Sequence, residues 1–561
     1  MKTSITSAGL AAAVIGLAAA APHSQLDCRT EAKPTAQVNL GYEVHQGNLN
    51  ATGGYYLFDN VPYAQQPVGE LRFAKPQPIS AYSTTVNAGS GGNIQCIQSY
   101  PQWIIDLQAQ GNGIPKETMA QILYNQPLQT EECLLLNVYV PNKILSKGPS
   151  AKAPVLVWIH GGGYTFGSKT SYGNPAGIIE RAGLDNDEGV IFVSINYRLG
   201  LFGWLDGDDV TPNLGLYDQR AALEWVQKYI SRFGGSPKRV TIMGESAGGS
   251  SITHHITAYG GKDKNVPFQA AIPQSPAFQF NIDTEATYEK TLAQASTESQ
   301  QSVQSVSDLK ALSSEQLKSI NQKVVQSAVY GAFNFGVSPD GTYVPELPQV
   351  LLAKGKVNKG LKLLVSHLPI VSEAAPFVPP TIATAEDVRT YITQVLTGTD
   401  SSVIDELLTT VYPNVLDGTY PWTTQFGRSV VMASEINFVC TSRYLATAYN
   451  GKANAYIFAY PPGFHAGDVN YQFFNGDASE VINGVPINVT IAHNLQDTLV
   501  NFAQTRDPSV KGLPKFPEYG RDAKVLRFSD KGVEVTIDDL KNPRCDWVQK
   551  AMVDGRLSSN Q

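Results

Sequence analysis

Between residues 155 and 275 short β-rich apolar runs alternate with longer amphipathic stretches, the pattern of strands joined by helical crossovers. Val155 to Ile159, Val190 to Ile195 and Val240 to Met243 are continuously apolar. A strand with one wet face would alternate, so these runs predict strands covered on both faces of a largely parallel sheet. Between the last two, Ala222, Trp225, Val226, Tyr229, Ile230 and Phe233 recur at helical spacing, and Gly234-Gly235 supplies the stop. Leu361 to Val365 and Ala455 to Tyr460 predict two more strands of the same sheet. Ile491, Leu495, Leu499 and Phe502 predict a late helix packed on it. The stretch from Asp283 to Lys323 is rich in Ser and Gln with helical tendency, and reads as a surface insertion. The expected class is α/β, a large, mostly parallel central sheet flanked by helices on both faces.

Composition narrows this picture. A chain of 561 residues, 42% hydrophobic and 16% charged, buries a large core and excludes a disordered or fibrous protein. No Pro/Gly/Ser-rich linker divides it, which predicts one domain over residues 21–561 with surface insertions. Ahead of it, Lys2 and the apolar stretch Ala8 to Ala21 form a secretory signal over residues 1–20, with cleavage near Ala20 or Ala21. No later run is long enough to span a bilayer, so a secreted, extracellular protein without a stable membrane anchor is expected. Secretion permits disulfides among Cys28, Cys96, Cys133, Cys440 and Cys545, an odd set that leaves at least one unpaired within the chain. Asn50 and Asn488 begin glycosylation sequons. The net charge of -7 disfavours nucleic acid and anionic membranes, leaving neutral or apolar small molecules as substrates.

The chemistry is concentrated after the predicted strands. Gly244-Glu245-Ser246-Ala247-Gly248 fits G-x-S-x-G with a strand before it and a helix-compatible run behind it. Such a turn projects the Ser246 hydroxyl beyond the sheet edge. Serine needs a base to take its proton. In α/β-hydrolases the chain order is Ser, acid, His, and His254, His255, His367, His465 and His493 follow Ser246. His254 and His255 lie on the helix leaving the turn and His493 in the late helix, whereas His465 follows a strand end, where ligands meet such sheets. Glu373, in a loop after Leu361 to Val365, is favoured as the acid, with Asp340 of an Asp-Gly turn as rival. Backbone N–H donors for an oxyanion are expected from Gly162 and Gly163, in the run His160-Gly161-Gly162-Gly163-Tyr164, and from Ala247. No metal, cofactor or obligate protein partner is called for.

The chain resembles the type-B carboxylesterases, the group that includes cholinesterases and secreted fungal lipases. Beyond the serine turn and glycine run, the resemblance rests on Asn60-Val61-Pro62-Tyr63-Ala64, Pro67-Val68-Gly69-Glu70-Leu71-Arg72-Phe73 and Glu131-Glu132-Cys133-Leu134-Leu135-Leu136-Asn137-Val138-Tyr139. Asn196-Tyr197-Arg198-Leu199-Gly200 and Asn213-Leu214-Gly215-Leu216-Tyr217-Asp218-Gln219 extend it. These blocks imply an α/β-hydrolase with a Ser246, Glu373 and His465 triad and an oxyanion hole of Gly162, Gly163 and Ala247. They also imply a Cys96–Cys133 disulfide and a structural Arg72–Glu131 salt bridge. The loop so closed carries Trp103, Ile104, Ile105, Leu107, Ile122, Leu123 and Tyr124, which either meet an acyl chain or pack against the body. Three departures stand out: the loop around Glu373 is two residues longer and has Ala374 for the family's glycine; the base is followed by Ala466 instead of glycine; and the cysteines of a second disulfide after the serine helix are absent, so the pairing of Cys28, Cys440 and Cys545 stays open, a Cys440–Cys545 bond with Cys28 single being one arrangement. The activity implied is ester hydrolysis through an acyl-enzyme, with a lipase acting on long-chain acylglycerols at an interface, or a catalytically weak esterase-like binding protein, as alternatives.

Overall fold

A computed structural model describes residues 35–557, except 90–91, 185–187, 280–282, 478, 480 and 483–484. The signal segment and Cys28 lie outside the described residues. The main-sheet strands are β1 (Thr35–Asn39), β2 (Val44–Asn50), β3 (Tyr55–Pro62), β4 (Leu135–Pro141), β5 (Ala153–Ile159), β6 (Ile191–Ile195), β7 (Gly235–Glu245), β8 (Ala270–Gln274), β9 (Lys362–His367), β10 (Asn454–Phe458), β11 (Lys524–Ser529) and β12 (Gly532–Ile537). Their spatial order is β1-β2-β3-β4-β6-β5-β7-β8-β9-β10-β11-β12, with a short strand Val86–Asn87 beside β2. From β6 to β11 every pairing is parallel, while the pairings at both ends of the sheet are antiparallel.

The continuous apolar runs have the physical cause expected of them. In β5, Val155, Val157 and Ile159 enter one core and Leu156 and Trp158 the other, so both faces of the sheet are dry. The first face is covered by α3 (Leu214–Tyr229), through Ala222, Leu223 and Val226, and by α4 (Ala247–Gly261), through Ile252 and Ile256; ahead of these, α1 (Gln102–Asn112) and α2 (Lys116–Tyr124) lie in the Cys96–Cys133 loop. Helix α3 continues into a 3-10 turn, Ile230–Phe233, that stops at Gly234 in the left-handed region. The predicted late helix, Val489–Thr505, covers the second face with Ile491, Leu495, Leu499 and Phe502.

The Ser/Gln-rich segment differs from its expectation as a surface insertion. It forms α5 (Thr284–Ser299), α6 (Val306–Ala311) and α7 (Ser314–Gln326), whose Ala295, Leu309, Leu317 and Ile320 are fully buried in the first core. The polar majority occupies the outer faces while an apolar stripe at helical spacing seals inward, so composition alone understated its burial. It is also tied to the Cys96–Cys133 loop. Arg72 grips Glu131 through two bonds of 2.7 and 2.6 Å and donates to the carbonyls of Lys310 and Leu312, while Ser314 donates to Glu131.

Two disulfides join the described cysteines, Cys96–Cys133 and Cys440–Cys545. Within the first loop Trp103, Ile104, Ile105, Leu107, Leu123 and Tyr124 are buried and Ile122 is exposed, so packing against the body accounts for most of that apolar surface. No helix among the described residues is long and apolar enough to cross a membrane.

Candidate active site

The loops after β5, β7, β9 and β10 leave the same, C-terminal edge of the sheet and converge there. Strand β7 ends at Glu245 and α4 begins at Ala247, leaving Ser246 as the corner, at φ 58° and ψ −123°. A side chain at such a dihedral costs about 1–3 kcal/mol, which the surroundings hold in place. Ser246 N donates to Gln274 O at 3.1 Å, and the Ser246 carbonyl receives Ser250 N at 2.9 Å. Helix and strand cross so closely that a Cβ at Gly248 would lie 2.1 Å from the Ile159 carbonyl oxygen.

The glycine run after β5 wraps over this corner. Gly162 has φ 107°, and its carbonyl receives the N–H groups of Thr165 and Phe166 at 3.0 and 3.1 Å. A Cβ there would meet the Phe166 carbonyl oxygen at 2.1 Å, so only glycine closes this turn. His160 anchors the run from below: its ring stacks on Tyr197 at 4.3 Å, Nδ1 donates to Gly161 O, and burial lowers its pKa to about 4. Among the described residues no acceptor engages the N–H of Gly162, Gly163 or Ala247. Backbone donors left open beside a serine are suited to a developing oxyanion.

His465 and Glu373 come together across 92 positions of sequence. His465 Nδ1 donates to Glu373 Oε1 at 3.1 Å, and the other carboxylate oxygen accepts from Leu368 N at 2.8 Å. Backbone contacts zip the two loops: His465 N donates to Glu373 O at 3.1 Å and Ser372 Oγ to Gly463 O at 2.8 Å. Glu373 is fully buried. The rings of Phe377 and Phe438 flank the imidazole at 5.4 and 4.6 Å. Ser246, His465, Gly162 and Gly163 line one small cavity of about 30 Å³.

The rival acid lies elsewhere. Asp340 accepts from Thr342 N, Val344 N and Asn213 Nδ2, which makes it the organiser of its own turn. The extra length before Glu373 is taken up by a tight turn in which Ser372 N and Glu373 N both reach Pro369 O. Ala374 sits at φ −84°, where alanine needs no strain, whereas Ala466 sits at φ 64°, a left-handed position. His254 and His255 are buried on α4 with pKa values lowered by desolvation to about 3, ordinary neutral core side chains.

Two acids escaped sequence reasoning. Glu245, the variable position of the serine motif, is fully buried with Oε1 3.1 Å from His465 Nε2. Asp468, three residues beyond His465, is also fully buried, and Gln274 Nε2 donates to it at 3.4 Å. Burial, with Asp468 and Glu373 nearby, raises the pKa of Glu245 well above the usual carboxylate range. Burial and then Glu373 raise that of Asp468 to about 7. Both shifts favour the neutral forms of Glu245 and Asp468 and so limit the negative charge gathered beside the imidazole. An acid within the histidine loop was the one available signal for Asp468; nothing in the sequence marks Glu245.

The sequence profile of the carboxylesterase family matches residues 36–548. The chain belongs to the carboxylesterase family. It is accordingly a carboxylic ester hydrolase of the α/β-hydrolase fold. It is 38% identical to carboxylesterase patB of Aspergillus clavatus over 547 residues, covering 91% of this chain and 95% of that protein. It is 29% identical to lipase 1 of Geotrichum candidum, over 91% and 94% of the two chains. Among solved structures, Aspergillus niger EstA superposes with a TM-score of 0.77 at 23% identity, over 93% of this carboxylesterase and 99% of EstA. The family thus includes both esterase and lipase relatives of this chain.

Proposed function

We propose that the chain is a secreted serine esterase working through an acyl-enzyme, with Ser246 as nucleophile, His465 as general base and then acid, and Glu373 orienting the imidazole. The N–H groups of Gly162, Gly163 and Ala247 receive the oxyanion. The observation that carries this reading is the buried contact of His465 Nδ1 with Glu373 Oε1 at 3.1 Å, in a loop whose histidine shares a cavity with Ser246. Donation from Nδ1 leaves Nε2 as the unprotonated nitrogen, as a base facing a serine requires.

In the forward step Ser246 Oγ attacks the carbonyl carbon while His465 Nε2 takes its proton. The tetrahedral oxyanion is held by the open N–H groups, the imidazolium by Glu373. His465 then gives the proton to the departing alkoxide, and a water repeats the sequence to free the acid. Secretion rests on the apolar leader, the two disulfides and the likeness to a relative named secreted lipase 1, of Botryotinia fuckeliana. Asn50 and Asn488 are the proposed glycan sites.

The test is Ser246→Ala assayed by pH-stat on methyl butanoate, with labelling by a fluorophosphonate read by mass spectrometry. The substitution is expected to lower kcat by at least about three orders of magnitude with the fold retained, and to abolish the adduct. A folded variant with unchanged turnover refutes the assignment.

A further inference from the structure

Glu373 is gripped from behind by the end of β9. Leu368, the residue after that strand, donates its N–H to Glu373 Oε2 at 2.8 Å, and its carbonyl oxygen receives His367 Nδ1 at 2.7 Å. On the far side of the same ring, His367 Nε2 lies 3.1 Å from Asp538 Oδ1, just beyond β12. Asp538 is held in turn: Oδ1 accepts from Leu540 N at 2.9 Å and Oδ2 from the Tyr519 hydroxyl at 2.8 Å. His367, Leu368, Glu373 and Asp538 are all buried. The ring therefore meets an oxygen acceptor at each nitrogen. A neutral imidazole carries one N–H, so only the imidazolium donates to both. Pro369 follows Leu368 and brings no N–H of its own to this turn.

Resting on the esterase reading above, we propose that His367, as an imidazolium held by Asp538, is a positioning residue of the reaction: it clamps the Leu368 backbone whose N–H sets Glu373 against His465, and loss of its proton releases that clamp. The sequence of events follows from the two acceptors. The bond to the carboxylate is charge-assisted and the stronger of the two, so a single remaining proton stays on Nε2, beside Asp538. Nδ1 then turns a lone pair on the Leu368 carbonyl oxygen 2.7 Å away, and attraction becomes repulsion. Leu368 must give way, and the donor to Glu373 Oε2 moves with it. A displacement of about 1 Å in such a support costs about a hundredfold in rate. The loss falls on kcat, because Glu373 acts on the imidazolium that forms at His465 after substrate is bound. Asp538 and Asp539 face the ring from the segment after β12; Arg527 of β11 and Glu435 bear on Asp539, and Arg443 on Tyr519. Burial alone would discharge the ring. Asp538 above all, then Asp539 and the bond to Leu368 O, outweigh burial and bring the pKa to about 9, so the clamp is closed below that pH and open above it.

The test is kcat and KM for methyl butanoate by pH-stat on the intact protein, from about pH 6 to about pH 10.5. Rates are corrected for uncatalysed hydrolysis and scaled to the sites that take a fluorophosphonate, with near-ultraviolet circular dichroism reporting the fold at each pH. In the wild type kcat is expected to fall by about tenfold or more as pH rises through about 9, with KM changing by less than about threefold. Asp538→Asn keeps the shape and removes the charge, so its alkaline limb should move down by at least about one pH unit. His367→Gln should remove the step, leaving a kcat that is level from about pH 8 to about pH 10 and about ten- to a hundredfold below wild type at the lower end. The wild-type profile decides the matter by itself should either variant fail to fold. A wild-type kcat that stays level to the alkaline end in a folded protein, or an alkaline limb that neither folded variant moves, overturns the inference and leaves the esterase reading intact. A folded protein that turns over no methyl butanoate and takes no fluorophosphonate at Ser246 refutes the esterase reading itself, and the inference with it.

Discussion

Replacing Gly162 by alanine tests whether the glycine run performs electrostatic work or merely turns the chain. The added methyl would stand 2.1 Å from the Phe166 carbonyl oxygen and 2.8 Å from its carbon, both backbone atoms in a turn closed by two hydrogen bonds to Gly162 O. Relief requires the turn to open by roughly 1 Å, a displacement large enough to cost about a hundredfold when it falls on groups that meet the transition state. The N–H groups of Gly162 and Gly163 move together, and losing one such donor costs about 3–4 kcal/mol, or 10²–10³ in kcat. The expected outcome is a kcat for methyl butanoate reduced by about 10²–10³ with KM little altered, because the oxyanion exists only after attack. The φ of 107° adds about 1–2 kcal/mol of strain, visible as a lower unfolding free energy in denaturant. A folded variant whose kcat stays within about threefold of wild type would show that these donors do not hold the oxyanion.

Glu373→Gln keeps the shape at His465 Nδ1 but removes the charge that stabilises the imidazolium; kcat is expected to fall by about 10³–10⁴ at nearly constant melting temperature, and a loss under tenfold would dismiss Glu373 as the acid. Burial pulls the pKa of His367 down, but Asp538, 3.1 Å away, and Asp539 outweigh it and bring the value to about 9 from 6.5. The folded state therefore holds an extra proton between pH 6.5 and 9. The resulting stability is complete below about pH 6.5 and is lost as pH rises through 9, a difference of 2.5 units or on the order of 3 kcal/mol. Denaturant midpoints across this window should fall in the wild type and flatten in His367→Gln; parallel slopes for the two proteins would contradict the ion pair. Cys440 and Cys545 close a separation of 105 residues, so their joint replacement by alanine should lower the unfolding free energy by about 4–5 kcal/mol on the chain-entropy account, and a loss below about 1 kcal/mol would show that account to fail here.

What the sequence determined by itself was local or directional. Val155 to Ile159 reads as a doubly covered strand because every one of its side chains must leave water, whichever elements cover it. Ser246 reads as a corner because strand, glycine, serine and helix follow each other within a few residues, and His465 stands out because it follows a strand end. The glycine run is legible for the same reason, since its backbone demands are met within five residues. The choice of Glu373 over Asp340 was different: it depended on two loops meeting across 92 positions, and on a turn at Pro369 that absorbs the added length. The raised pKa values of Glu245 and Asp468 were likewise a matter of tertiary structure, because desolvation sets them together with Glu373, and for Glu245 with Asp468 as well. So was the inward face of α5–α7, whose apolar minority counts only once a core exists to receive it. Periodicity and turn chemistry act between neighbours in the chain and are written there. Dielectric environment, charge proximity and cavity shape arise between segments that are distant in sequence, and these bring Glu373 rather than Asp340 against His465 and shape the cavity beside the serine.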